Sequence, residues 1–399
     1  KKVSIYSQPA SIFGHQNTLY NPRRTRLVYN PNMARIAIDA RFYGTEHTGL
    51  GRYTTNVLSY LPNHLKDHQL FVLLRRKYFE TLTLPANCTK VLFDVPHYTF
   101  SEQIFYPLKL ASLRVDLLYT LHFNTPILIK VPTVVTVHDL IKTYFTGRET
   151  TTRAPWLYRL KRAGYNLDVR HSLVNASAVI VPTNTVKNQI LANFPLVKPE
   201  HIHPIPEAPD PMFKRSPKLD TGHSSLDLPS KYILFVGNAY PHKNLPVLLE
   251  AFKKLKDPTL NLVIVSKLSP FLSRTLAPYE PKNIHIMSEL TDQELYTVYQ
   301  NASALVTPSL MEGYGLVGLE AMMLGVPVIA SNIPVYREVY GDLVTYFDPT
   351  NSDQLSGAIK SVLAAPAPVP LKFTRTWDNV SQSIAEVINA SCARLRPSK

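Results

Sequence analysis

The sequence predicts an α/β protein built from two Rossmann-like domains that face each other across a cleft. The chain has 399 residues, which is more than a single hydrophobic core usually holds. Short apolar segments typical of buried parallel strands alternate with helical stretches in two separate series. Residues 204–211, with four prolines in eight positions, lie between the two series and exclude helix or central strand there.

The first domain is predicted at 33–205. It opens with a buried strand at 35–39, a glycine turn at 48–53 and an amphipathic helix, in the order of a βαβ unit. The other strands of this series are predicted at 70–74, 90–93, 116–119, 133–137 and 178–181.

The second domain is predicted at 206–375. Its strands are predicted at 232–236, 262–265, 284–286, 304–306, 327–330 and 344–347. Residues 1–32 form a separate polar segment without helical or strand periodicity. They are interpreted either as an N-terminal extension that precedes a biological start at Met33 or as an arm packed on the first domain.

Composition narrows the class of protein. With 45% hydrophobic and 18% charged residues, the chain is expected to be globular. Cys88 and Cys392 are far apart, which argues against a disulfide framework or a zinc site and fits a reducing compartment. No apolar run reaches the length of a membrane-spanning helix, and no signal peptide is apparent. We therefore expect a cytoplasmic protein.

The formal net charge of +14 raises the question of an anionic partner. Neither an RNA-recognition aromatic signature nor zinc-finger spacing accompanies the charge, so nucleic acid is not expected. Arginines and aromatic residues are interleaved at 147–172, a pattern that suits an interfacial helix on an anionic membrane. A helix with one solvated face and one packed face fits this stretch equally well.

The strongest candidate site lies at 312–320. Its glycine-rich loop follows the strand at 304–306 and opens a helix, whose free N–H groups and dipole suit a diphosphate. Gly315 and Gly318 are expected to allow a ligand close approach. Glu312 and Glu320 flank the turn and could contact the sugar and the ribose of a nucleotide sugar. The alternative is that both are surface carboxylates that cap a helix.

The segment from Glu312 through Ser331 to Glu338 resembles the donor-site signature of family-four glycosyltransferases with the GT-B fold, particularly bacterial mannosyltransferase-like members. The resemblance extends over most of the chain from Met33 onward. It implies transfer of a sugar from a nucleoside-diphosphate donor to a glycan or lipid-linked acceptor hydroxyl, with retention at the anomeric carbon. GDP-mannose is the donor favoured by the resemblance. It also implies that a final helix at 376–392 crosses back onto the first domain, with Trp377 as an anchor.

The resemblance assigns roles to individual residues. Lys243 matches the lysine that contacts the diphosphate, and His138 matches an active-site histidine that would hold the sugar or the acceptor. Asn238 stands where many relatives carry an arginine, which puts a second cationic contact in doubt. The expected catalytic residues are His138, Glu312 and Lys243. The expected donor contacts are Gly49, Gly51, Gly237, Asn238, Lys243, Gly315, Leu316, Val317 and Glu320.

Other features leave alternatives open. Lys243 could be a solvated loop lysine, the glycines at 49 and 51 a generic turn, and His138 a structural histidine. Asp39 and Arg41 could face the cleft, whereas Glu207 is interpreted as structural. The base of the donor is expected near 265–266 and Met287. No metal is expected, because the sequence has no Asp-x-Asp motif.

A competing function is a non-catalytic GT-B scaffold that binds a sugar nucleotide or a polysaccharide. The joint presence of Glu312, Glu320, Lys243 and His138 argues against it, because a degenerate site would be expected to lose some of them. Asn238 is the feature that favours it. If the acceptor is a lipid-linked sugar, residues 147–172 would place the protein peripherally on the inner face of the membrane.

Overall fold

The computed structural model describes residues 33–147, 155–214, 226–279 and 282–395. In these ranges the chain forms two sheets with all strands parallel, one of seven strands and one of six. Both faces of each sheet are covered, which explains why the strands are continuous apolar runs. In β1, for example, Ile36 and Ile38 join one core cluster, and Ala37 joins another on the opposite face.

The first sheet has the order β3-β2-β1-β4-β5-β6-β7. Its short last strand was not predicted from the sequence. That strand lies at the edge of the sheet and ends in a proline, which cannot donate a hydrogen bond to a further strand. The strands are β1 Arg35–Asp39, β2 Gln69–Leu74, β3 Cys88–Leu92, β4 Leu117–Thr120, β5 Thr133–Thr136, β6 Ala178–Val181 and β7 Ile202–Pro204.

The second sheet has the order β10-β9-β8-β11-β12-β13. Its strands are β8 Tyr232–Val236, β9 Asn261–Val265, β10 Ile284–Met287, β11 Ala304–Thr307, β12 Val328–Ser331 and β13 Thr345–Phe347. The strand order reverses between β1 and β4 in the first sheet and between β8 and β11 in the second. Ligands of open parallel sheets bind at the carboxyl ends of strands at such reversals. The loops that follow these strands are therefore the natural place for a site.

The helices connect the strands on both sides of the sheets. Those of the first domain are α1 Thr48–His64, α2 Arg76–Phe79, α3 Phe100–Leu113, α4 Ile141–Tyr144, α5 Pro155–Asn175 and α6 Asn184–Asn193. Those of the second are α7 Leu245–Leu255, α8 Pro270–Leu276, α9 Asp292–Gln300, α10 Leu316–Met323, α11 Pro334–Tyr340 and α12 Ser352–Ala364. Within the part of the chain that the structure describes, no helix has the length and apolarity needed to span a bilayer.

The last helix, α13 Trp377–Arg394, packs on α1 and completes the core of the first domain. Its first residue, Trp377, is 2% exposed and meets the ring of Tyr53 edge-on, with ring centroids 5.5 Å apart. Ile384 and Ile388 on the same helix are fully buried in this core. The predicted return of the final helix to the first domain is therefore confirmed, with an anchor of large apolar side chains.

Candidate active site

Lys243 and Glu312 lie side by side at the carboxyl edge of the second sheet. Lys243 ends a short turn in the loop after β8, and Glu312 lies in the loop between β11 and α10. The Lys243 Nζ donates a hydrogen bond to Glu312 Oε1 at 2.6 Å. Because β8 and β11 are neighbours at the point where strand order reverses, the sheet brings together two residues that are distant in sequence.

The Glu312 carboxylate is buried but well supported. Besides Lys243, the hydroxyls of Ser309 and Tyr336 donate to its Oε1, at 2.7 and 3.3 Å. Burial alone would raise the pKa of Glu312, but Lys243 and the hydrogen bonds outweigh it and hold the pKa below its ordinary value. Glu312 is therefore an anion. All three hydrogen bonds end on Oε1, and Oε2 accepts none from the described residues.

Gly237 and Asn238 border the lysine. Gly237 has a φ of +149°, a backbone conformation that residues with a side chain rarely adopt, whereas a methyl group there would lie in ordinary contact with the Lys243 side chain, 3.7 Å away. The Asn238 Oδ1 accepts a hydrogen bond from the backbone of Lys267 at 3.4 Å. Asn238 therefore holds the neighbouring loop and adds no positive charge to the site.

The N-terminus of α10 faces the same region. Gly315 precedes the helix with a φ of +99°, and the amides of Leu316 and Val317 occupy the first turn, where the helix itself offers no acceptor. A methyl group on Gly315 or Gly318 would meet the Tyr340 side chain at 2.4 or 2.5 Å. These glycines therefore admit a tyrosine of α11, and the close approach of a ligand to them stays a prediction.

Glu320 points into the protein from the second turn of α10. It is 8% exposed, and its Oε2 accepts a hydrogen bond from the Tyr299 hydroxyl at 2.9 Å. Burial raises the pKa of Glu320 to about 7, although the charge of Arg52 and the Tyr299 hydrogen bond act in the opposite direction. Arg52 belongs to α1, so a charge of the first domain lies near α10 of the second domain.

His138 follows β5 and is held by two acceptors. Its Nδ1 lies 3.2 Å from Glu207 Oε1 and its Nε2 lies 3.0 Å from the carbonyl oxygen of Leu121. A carboxylate and a carbonyl only accept, so both ring nitrogens carry hydrogens and the ring is an imidazolium. Consistently, Glu207 raises the pKa of His138 against the opposing effect of burial. Both nitrogens thus have partners within the protein, and the contact of His138 with the sugar or the acceptor stays a prediction.

Glu207 joins the site, although it was interpreted as structural. Its carbonyl oxygen also accepts a hydrogen bond from the Tyr314 hydroxyl at 3.0 Å. A methyl group on Gly313, next to Glu312, would approach the His138 carbonyl oxygen to 2.0 Å. Glu207 and the loop that carries Glu312 therefore both contact the strand end that carries His138. No local sequence signal indicated the role of Glu207, because the contact depends on how the proline-rich segment crosses the cleft.

Gly49 and Gly51 lie inside the first turn of α1, and the predicted glycine turn is displaced upstream. A methyl group on Gly51 would overlap the carbonyl oxygen of Gly44 at 1.8 Å, whereas one on Gly49 would meet nothing. Gly51 therefore lets the loop after β1 fold back on the helix. Gly49 stays a predicted donor contact.

Asp39 and Arg41 do not line the cleft as free charges. Arg41 is 1% exposed and bonds Asp39 at 2.6 Å and Glu102 at 2.7 Å. Tyr106 donates to the same Asp39 carboxylate at 2.9 Å. Despite burial, Arg41 lowers the pKa of Asp39 to about 2. The pair forms an internal network that fixes the loops at the carboxyl end of β1.

The remaining candidates lie at the edge of the second sheet. Ser266 donates its backbone N–H to the Met287 carbonyl at 3.0 Å, which places the predicted base-binding segments side by side at the carboxyl ends of β9 and β10. Among the residues that the structure describes, no group of three or more His, Cys, Asp or Glu side chains could hold a metal ion.

Comparison with known families matches both halves of the chain. The model described as "Glycosyltransferase Family 4" matches residues 47–212, and that described as "Glycosyl transferases group 1" matches 221–377. The chain belongs to glycosyltransferase family four. Its relatives include the O-antigen chain mannosyltransferase RfbU of Salmonella typhimurium, which is 34% identical over 34% of this chain and 39% of its own length. Another is the MMP alpha-(1->4)-mannosyltransferase of Mycolicibacterium hassiacum, 27% identical over 65% of this chain and 62% of its own.

The matches to these two curated relatives span between about two fifths and three fifths of their lengths. Among solved structures, HepE of Anabaena in complex with UDP and glucose has a TM-score of 0.61 and 16% identity, covering 91% of this chain and 98% of that one. At this identity the likeness concerns the fold. It confirms the predicted GT-B architecture of this family-four chain.

Gly318 in α10 and Gly49 in α1 make a matched pair of glycine-to-alanine variants that tests the packing around α10. We expect Gly318→Ala to lower the melting temperature, because the new methyl group would lie 2.5 Å from the Tyr340 ring and overpacking costs about 1–3 kcal/mol. We expect Gly49→Ala to leave it unchanged or raise it, because that position is open and alanine favours helix. Differential scanning calorimetry measures both. An unchanged melting temperature for Gly318→Ala would contradict the packing.

Glu320 should make the free energy of unfolding fall as the pH rises towards 7. Its pKa is about 7 in the folded chain against an ordinary 4.5, so the folded state binds more protons than the unfolded state between these values. Stability from this group is therefore present below about pH 4.5 and is lost as the pH rises through 7. We expect Glu320→Gln to match the parent near pH 4.5 and to be the more stable at pH 8. Exposed Glu386→Gln is the control, and a constant difference across this range would refute the assignment.

Proposed function

We propose that this chain transfers a hexose from a nucleoside-diphosphate donor to a hydroxyl group of a glycan, with retention at the anomeric carbon. The observation that carries the proposal is the ion pair of Lys243 and Glu312, 2.6 Å apart, beside the N-terminus of α10. It combines a cation, free backbone amides and a buried anion at one strand-order reversal.

The reaction requires two kinds of charge stabilisation. Departure of the donor leaves negative charge on the diphosphate, and the sugar gains oxocarbenium character. Lys243 and the amides of Leu316 and Val317 would stabilise the diphosphate. The Glu312 carboxylate would hold a sugar hydroxyl through Oε2 and favour positive charge on the ring. No enzyme nucleophile is assigned, since the family resemblance does not require a double displacement.

Mannose is the sugar we propose, with GDP-mannose as donor. The names of two relatives, both mannosyltransferases, support it. One of them is named for an O-antigen chain, and this name supports a glycan as the acceptor. We include a lipid-linked glycan in this acceptor class. The scaffold alternative is not favoured, because maintaining an ionised carboxylate in a buried position is costly without a function for it.

The proposed location is the cytoplasm, with peripheral attachment to an anionic inner membrane face through 147–172. Residues 148–154 of that stretch lie outside the described part of the chain. In α5, Leu167 is 58% exposed, which supports an apolar contact with the bilayer.

The donor assay tests the ion pair directly. With GDP-mannose, UDP-glucose, UDP-galactose and UDP-N-acetylglucosamine as donors, we expect one to be hydrolysed or used for transfer by the parent. Lys243→Ala and Glu312→Ala should each lower kcat by about 100-fold or more, as removal of a preorganised charge-stabilising group does. Lys360→Ala, an exposed lysine of α12, is the matched control. Equal activity in the parent and both site variants would remove the assignment.

The same assay tests the proposal that the donor needs no metal. We expect turnover to be unchanged after dialysis against EDTA and unchanged again when Mg²⁺ or Mn²⁺ is restored, because Lys243 and the α10 amides supply the positive potential. Loss of turnover in EDTA with recovery on adding either ion would show that a metal carries this charge instead.

A further inference from the structure

A second cluster of polar and aromatic side chains lies in the first domain, at the carboxyl edge of its sheet. It draws on the loops after β3 and β4, on α4 and on α5. We call it the Tyr98 cluster. Its members are Tyr98, His122, Asn124, Lys142, Tyr165 and Asp168.

Tyr98 is held in an unfavourable conformation. Its φ is +59°, a region that aromatic residues rarely occupy. The Tyr98 N–H donates to Glu102 Oε2 at 2.7 Å, and the Glu102 carboxylate is in turn fixed by Arg41 at 2.7 Å. The ring is nevertheless 48% exposed. The internal network therefore keeps an aromatic ring at the surface of the cleft face, at a cost to the backbone.

The side chains around Tyr98 fix the ring and add polar groups. The Tyr98 hydroxyl lies 3.3 Å from His122 Nδ1. The Lys142 Nζ lies 5.3 Å from the centre of the Tyr98 ring and 5.9 Å from that of Tyr165. No carboxylate within 4 Å pairs with Lys142 among the described residues. Its three N–H donors are therefore available to a ligand.

Two buried oxygens of the cluster lack a hydrogen-bond donor. Asp168 is 7% exposed and Asn124 is 3% exposed, and the Oδ1 atom of each has no partner among the described residues. Asn124 is oriented by its Nδ2, which donates to Glu102 Oε1 at 2.9 Å. Burial, and next the charge of Glu102, raise the pKa of Asp168 to about 7. Unpaired buried acceptors are costly, and hydroxyl groups of a ligand would satisfy them.

The cluster adjoins the donor site. Leu121, just before His122, gives its carbonyl oxygen to His138, and Gly313 of the donor loop packs on the His138 backbone. An acceptor hydroxyl must reach the anomeric carbon of a sugar held near Glu312. A ligand on the Tyr98 cluster would approach that carbon from the first domain.

We propose that the Tyr98 cluster binds the terminal sugar ring of the acceptor glycan. Tyr98 offers a flat apolar face to the ring, Asp168 and Asn124 accept hydrogen bonds from its hydroxyls, and Lys142 donates one. Aromatic walls with a few fixed polar groups suit such a ligand. The inference rests on the proposed glycosyl transfer and assigns the residues that select the acceptor.

The test separates acceptor binding from donor chemistry. Methyl glycosides of mannose, galactose and N-acetylglucosamine serve as acceptor probes, in isothermal titration and in transfer assays. Tyr98→Ala and Asp168→Leu are compared with Phe100→Ala, a control that removes an aromatic ring 81% exposed on α3. We expect at least one glycoside to bind the parent. Each cluster variant should raise its Kd and KM by about tenfold or more, while donor hydrolysis without acceptor stays unchanged.

Three results would overturn the inference. The first is a Kd in both cluster variants that equals that of the parent. The second is a parallel loss of donor hydrolysis, which would show a general structural role. The third is that no glycoside binds the parent, which would assign the unpaired oxygens to water. Failure of the proposed function looks different, because it appears as absence of turnover with every donor while glycoside titration still reports on the Tyr98 cluster.

Discussion

The ion pair of Lys243 and Glu312 is the interaction around which the second-domain side of the cleft is arranged. A carboxylate that is 8% exposed is stable as an anion only with charge and hydrogen bonds around it. Lys243 supplies the charge, and the hydroxyls of Ser309 and Tyr336 complete the shell of donors. The glycines of α10 serve the same end indirectly, because they let α11 approach closely enough to bring Tyr336 to Glu312. A diphosphate would meet the lysine and the helix N-terminus together.

Contacts across the cleft couple this arrangement to the first domain. The carboxylate of Glu338 on α11 accepts hydrogen bonds from the backbone N–H groups of Asn184 and Thr185 at 2.6 and 2.8 Å. It thus places a negative charge at the N-terminus of α6, where the helix dipole favours one. The hinge residue Glu207 balances the imidazolium of His138. Glu207 and Glu338 therefore use their charge to join the domains, whereas Glu312 and Glu320 lie in the second domain around α10.

Much of the fold followed from the sequence because buried parallel strands leave an unmistakable pattern. Apolar runs such as 232–236 and 304–306 could be assigned as buried strands without any tertiary information. Strand β7 did not show this pattern, since three residues ending in proline have too little periodicity to stand out. The start of α1 was misplaced for a related reason. Glycine usually marks a turn, but Gly51 is required inside the helix, because the loop at Gly44 folds back against it.

The sequence by itself determined the two-domain α/β architecture, the family and the identity of Lys243, Glu312 and Glu320 as candidate residues, since each depends on a local pattern of strand, loop and helix. The tertiary structure decided which of these side chains meet and in which charge state. Burial holds the pKa of Glu320 at about 7, whereas Lys243 keeps Glu312 ionised. The roles of Glu207 and Tyr98 also depend on residues far away in the chain. Such contacts have no local signature, because the path of the backbone alone brings the partners together.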